Sequence, residues 1–169
     1  MTAGARFLRP EPLTRAAFAA FGDVIEAGDA FETINRGTTR QYNKLTEIDV
    51  SDDGGRTQIS IYRVVPYELP LAIVMLERHP LSSQLFMPLS AAPFLVVVAP
   101  PGEHVERASV RAFVTNGAQG VNYRRGTWHH PVIALRSLCE FLVVDRAGPG
   151  ANCDEFFFEG DPLLLQPPP

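Results

Sequence analysis

The chain has 169 residues, enough for one domain that buries about two thirds of its unfolded surface and too few for two well-cored domains. Hydrophobic residues at 46%, charged residues at 20% and a net charge of −4 describe an ordinary soluble globular protein and offer no basic field for nucleic-acid backbones. Of the 15 basic residues only Lys44 is lysine, which reflects genomic composition rather than a binding surface, and Cys139 and Cys153 match no disulfide framework or zinc spacing.

The N-terminal stretch MTAGARFLRPEPLTR lacks the apolar core of a secretory signal. No later segment approaches the ~20 apolar residues that span a bilayer. A soluble, unexported protein in a reducing cytoplasm is expected, with residues 1–169 as a single domain. Pro10 and Pro12 hold the next segment extended, and Thr14 is placed to cap a short helix in which Ala16, Ala17, Ala20 and Phe21 recur at helical spacing. Gly22 should end it.

Beyond the helix the pattern is short β-rich runs separated by turn residues. The expected strands are Gln58 to Val65, Leu71 to Glu77, Gln84 to Met87, Phe94 to Ala99, Val110 to Thr115, Val121 to Arg124, Trp128 to Ala134 and Leu138 to Asp145. Turn signals stand between them at SDDGG (51–55), PPGE (100–103), NG (116–117) and RRG (124–126). The count suits an all-β, double-layered barrel. From Ala147 the chain is rich in Gly and Pro, with a phenylalanine cluster at 156–158 expected to pack on the barrel wall or on a second subunit, and a frayed end.

Two constellations could carry chemistry. In LERHP (76–80), strand alternation points Glu77 and His79 the same way and Arg78 the other. Pro80 then bends the chain so that Gln84 can return beside them. In GVNYRRGTWHHP (120–131), alternation sets His129 opposite in direction to Trp128 and His130. A His buried against a Glu is common in cores, so the ExH pair by itself marks structure as readily as a ligand set. Arg63 shares a strand face with Ile59 and Ile61; if that face is the core, its guanidinium points inward as a carboxylate anchor, and otherwise it reaches solvent from the strand end. Tyr123 and Trp128 could wall a pocket or simply fill the core, and His130 could stand behind the site or at a dimer contact.

The spacing Glu77-x-His79-x4-Gln84 followed by Gly126-x2-His129 resembles the two signature motifs of the cupin superfamily. Glu77 stands where that pattern has its first histidine and Gln84 where it has its glutamate, while Arg124 replaces its proline and Ile133 its asparagine. The segments FGDVIE (21–26), LERHP with Gln84, RAFVTNGAQGVNY (111–123), WHHP (128–131), FLVVDR (141–146) and NCD (152–154) are similar, in order and over nearly the whole chain, to the ureidoglycolate lyase family. The resemblance implies a mainly β, cupin-like double-stranded β-helix (jelly-roll) barrel with a short N-terminal helix. It implies a cytoplasmic homodimer that cleaves (S)-ureidoglycolate to glyoxylate and urea in allantoin (purine) catabolism, with nickel associated with activity. Carried onto this chain, it makes Glu77, His79 and His129 the acid-base groups, and Glu77, His79, Gln84 and His129 the ligands of a divalent metal. Arg63, Tyr123 and Trp128 are the expected substrate contacts. Two other functions remain open, an amidohydrolase releasing ammonia from the same substrate and a non-catalytic cupin that binds a small acid.

Overall fold

The computed structural model describes residues 6–169; the opening residues 1–5 of the stretch searched for a leader lie outside them. Among the described residues, no helix is long and apolar enough to cross a membrane. The fold is mainly β, and two large sheets face each other. The first runs in the order Asp154–Phe157, Met75–Arg78, Trp128–His129, Phe94–Ala99, Arg111–Val114 and Glu11–Pro12, with Ile133–Ala134 also paired to Phe94–Ala99. The second runs Gly22–Ile25, Gly120–Tyr123, Gln84–Pro88, Cys139–Ala147 and Arg56–Val64. Arg6–Leu8, Leu163–Leu165 and Leu71–Ile73 form a small third sheet, and Glu32–Ile34 and Thr39–Gln41 form a hairpin.

The apolar run FLVVVA explains the layering. Along Phe94–Ala99 the side chains alternate, so Phe94, Val96 and Val98 join the core between the large sheets, with Phe18, Phe113, Phe141 and Val143. Leu95, Val97 and Ala99 face the opposite way and join a second core with Leu8, Ile73, Trp128, Leu163 and Leu165, much of it contributed by the small sheet. A strand covered on both faces has no polar positions to alternate with, hence the unbroken apolar run.

The helical segment is a single turn, Arg15–Phe18, with the Thr14 hydroxyl accepting from the Ala17 N–H. It stops before the expected Gly22 because Gly22–Ile25 is already a strand, paired with Gly120–Tyr123. A β-carbon at Gly22 would lie 1.9 Å from the Asn122 carbonyl oxygen, so glycine permits that approach. Two expected strands are each divided. Leu71 to Glu77 breaks at Val74, whose carbonyl accepts from the Phe158 N–H, and its halves serve different sheets. Trp128 to Ala134 is interrupted around Pro131, which has no N–H for a ladder. The Gly- and Pro-rich tail supplies two further strands, Asp154–Phe157 against Met75–Arg78 and Leu163–Leu165 parallel to Arg6–Leu8. Phe156 and Phe158 pack on the wall, the Phe156 ring 6.0 Å from Trp128.

Candidate active site

Glu77 stands directly opposite His129 in the first sheet, and His129 directly opposite Val98. Cross-strand partners share a face, so all three look into the space between the two large sheets. Their sequence neighbours Leu76 and Trp128 look the other way, into the second core. His79 follows the strand and closes on the same place, its ring centre 5.2 Å from that of His129. The turn that carries it is clipped by Asn152, whose carbonyl oxygen lies 2.6 Å from His79 Nδ1. The Asn152 side chain accepts from the Leu81 N–H and donates to Ser82.

The hydrogen bonds decide the tautomers. His79 Nδ1 faces the Asn152 carbonyl, and His129 Nδ1 faces the Thr127 carbonyl at 3.0 Å. A carbonyl can only accept, so each Nδ1 carries a proton, and in the neutral ring the lone pair lies on Nε2. Both Nε2 atoms are buried with no hydrogen-bond partner. Glu77 Oε1 approaches His129 Nε2 at 3.5 Å, a close electrostatic contact too long for a well-formed hydrogen bond. One donor atom from each of Glu77, His79 and His129 lies within 4.8 Å of the others. Two imidazoles with tautomers set by carbonyls and one carboxylate fit a borderline divalent ion.

Electrostatics agree with that arrangement. A hydrogen bond from His129, available when Nε2 is protonated, is the main influence holding the Glu77 carboxyl below its ordinary pKa, against the opposing effect of burial. Burial pushes His129 down, with Glu77 opposing. The pair is therefore an ionised carboxylate beside a neutral imidazole at neutral pH. The Tyr123 ring stacks on His129 at 4.2 Å and 16°, and its hydroxyl is buried without a partner and driven up in pKa by desolvation.

Of the expected site residues, Glu77, His79, His129, Gln84 and Tyr123 converge. Gln84 is buried, stands opposite Tyr123, and has an unpartnered Oε1. Arg63 and Trp128 do not join them. Ile59 and Ile61, whose burial was the condition for an inward Arg63, are 67% and 53% exposed, and Arg63 lies on that outer face, paired with Glu140 at 2.6 Å. Trp128 packs outward beneath the Arg78 guanidinium and donates from Nε1 to the Gly102 carbonyl. His130 turns Nδ1 to the Pro131 carbonyl, with its ring edge against Tyr67. Arg63→Ala is accordingly expected to change kcat/KM by no more than about threefold, as for an exposed ion pair, checked by steady-state kinetics. A loss of tenfold or more would place Arg63 at a functional site.

Three residues escaped the sequence reading. Asn152 holds the His79 turn, a contact between distant segments that no local pattern announces. Tyr62 lies near both carboxylates: burial, then Asp145 and Glu77, push its hydroxyl up. Asp145 was legible, because alternation along Phe141, Val143 and Asp145 puts it on the face of two fully buried side chains.

The relationships of the chain to known proteins point the same way. The family described as Ureidoglycolate lyase matches residues 5–165. Proteins named Ureidoglycolate lyase from Pseudomonas aeruginosa (strain LESB58) and Azotobacter vinelandii are 56% identical over 164 residues and 54% identical over 165 residues. Each alignment covers 96% of this chain, and 97% and 99% of those relatives. A third, from Pseudomonas syringae pv. tomato, is 52% identical over 166 residues. With near-complete coverage on both sides, the chain belongs to the ureidoglycolate lyase family.

Proposed function

We propose that this chain cleaves (S)-ureidoglycolate to glyoxylate and urea, as a cytoplasmic enzyme of allantoin breakdown built on a single cupin-like jelly-roll domain. The observation that carries the reading is the end-to-end relationship to proteins of that name, and the buried Glu77, His79 and His129 cluster suits the chemistry. A homodimer belongs to the same reading, supported by the exposed apolar residues Ile59, Ile61 and Val65 around the edge strand of the second sheet.

Elimination of urea from a carbinolamide requires that the hydroxyl lose its proton as the carbonyl forms, and that the departing nitrogen gain one. In the absence of a metal, His129 Nε2 is buried with an open lone pair and is suited to take the hydroxyl proton. Glu77 would stabilise the imidazolium so formed. Return of that proton to the nitrogen, as the carbon–nitrogen bond breaks, balances the step and regenerates the neutral ring. The Tyr123 stack and the Thr127 carbonyl hold the imidazole in one orientation throughout. With a divalent ion bound, nickel by family resemblance, Glu77, His79 and His129 would hold it with Gln84 Oε1 alongside; His129 Nε2 would then be a ligand rather than the base, and the ion would supply Lewis acidity and positive charge for the substrate carboxylate and hydroxyl.

The purified protein, incubated with (S)-ureidoglycolate, is expected to release glyoxylate and urea in equal amounts. Elemental analysis should find a bound divalent metal, and chelation should remove both metal and activity. Ammonia as the sole nitrogen product would favour the amidohydrolase, and no product at all the non-catalytic binder. Full activity without metal would remove the ion but leave the lyase.

A further inference from the structure

The second sheet carries a polar row across its inner face, and two of its members, Gln58 and Asp145, have no part in the reaction above. Asp145 pairs with Gln58, and Gln84 pairs with Tyr123. The antiparallel register that joins Val144 to Leu85 sets Asp145 beside Gln84. Four neighbouring strands thus present Gln58, Asp145, Gln84 and Tyr123 side by side, facing the sheet that holds Glu77 and His129. Gln58 Nε2 donates to Asp145 Oδ1 at 3.3 Å, and Gln84 is the neighbour of Asp145 on the other strand. Tyr123, at the end of the row, stacks on His129 at 4.2 Å, so the row reaches the Glu77, His79 and His129 cluster.

We propose that Asp145 is the substrate-binding residue for the ureido end of the substrate, accepting its parallel N–H groups while the acid and hydroxyl end lies toward Glu77, His79 and His129. A ureido group offers one N–H from its internal nitrogen and one from its terminal nitrogen along the same edge. A carboxylate is the complementary bidentate acceptor, as it is for guanidinium. Gln84 Oε1, more than nine-tenths buried and unpartnered, supplies another acceptor beside it. Such a site penalises a ligand that lacks the terminal N–H, because the desolvated acceptors are left unsatisfied. The proposal rests on the lyase reading for the identity of the substrate, but its test needs no turnover.

The probes are N-carbamoylglycine, which keeps the ureido group and carboxylate but has no hydroxyl to eliminate, and N-acetylglycine, which replaces the terminal nitrogen by a methyl group. Calorimetric titration of the metal-replete wild-type protein should show N-carbamoylglycine binding about tenfold or more tighter than N-acetylglycine, the ratio expected of a charge-assisted hydrogen bond. In Asp145→Asn and Asp145→Ala that preference should vanish, with N-acetylglycine affinity unchanged. Wild-type protein with no preference, a variant that retains it, or variants that weaken both ligands equally would each overturn the assignment. Thermal melts of the variants identify a loss that comes from unfolding. Failure of the lyase reading shows separately, as absence of urea release by the wild type.

Discussion

Glu77→Gln is expected to lower kcat for urea release by about a thousandfold while leaving the melting temperature nearly unchanged. The substitution keeps the shape of the side chain and removes its charge. Without that charge, the buried His129 imidazole has no ionised partner at 3.5 Å to stabilise its protonated form, and the donor set of the metal site loses its carboxylate. Glu77 is only partly buried, so the change leaves no large void in the core. His129→Asn should cause a comparable loss, since it removes the buried, unpartnered Nε2. Steady-state urea assays alongside circular dichroism decide the matter. If both variants retain turnover within tenfold of wild type, this cluster is not where the reaction takes place.

The largest stability effect is expected in the core between the two large sheets, where Phe141→Ala should destabilise the protein by about 3–5 kcal/mol. Phe141 is fully buried, and its ring meets Phe94 edge-on at 4.9 Å and Phe86 at 6.0 Å. Strands hydrogen-bonded on both sides cannot shift to fill the hole, so the cavity cost adds to the lost transfer energy. In a chain of this size each kcal/mol corresponds to about 2–4 °C of melting temperature. Phe157→Ala is the control: that ring is 61% exposed, and its loss should change stability by about 0.5 kcal/mol or less. Denaturant titration of both variants gives the comparison. Similar midpoints would mean that the packing around Phe141 does not carry the stability assigned to it.

Much of this protein was legible from residue order alone. Alternation put Glu77 and His79 on one face and Arg78 on the other, because strand periodicity is a property of the local backbone, and the unbroken apolar run set the limits of Phe94–Ala99. The same rule could have placed Asp145, and it correctly set Trp128 against His129. Alternation defines two faces but does not say which one is buried. That is why Arg63, grouped rightly with Ile59 and Ile61, could be read as inward or solvent-facing: two isoleucines suggest a core, whereas this edge strand leaves them exposed. The short strands in the tail, the division at Val74 and the early end of the helix lay beyond a local reading, since each depends on a partner far away in the chain. The sequence by itself determined the β class, the alternation of the strands and the kinds of group available for chemistry. Only the tertiary structure decided which faces meet, which carbonyls orient the two imidazoles, and that Asn152 stands beside His79. The physical reason is that register and sheet order come from hydrogen bonds between segments that share no local pattern.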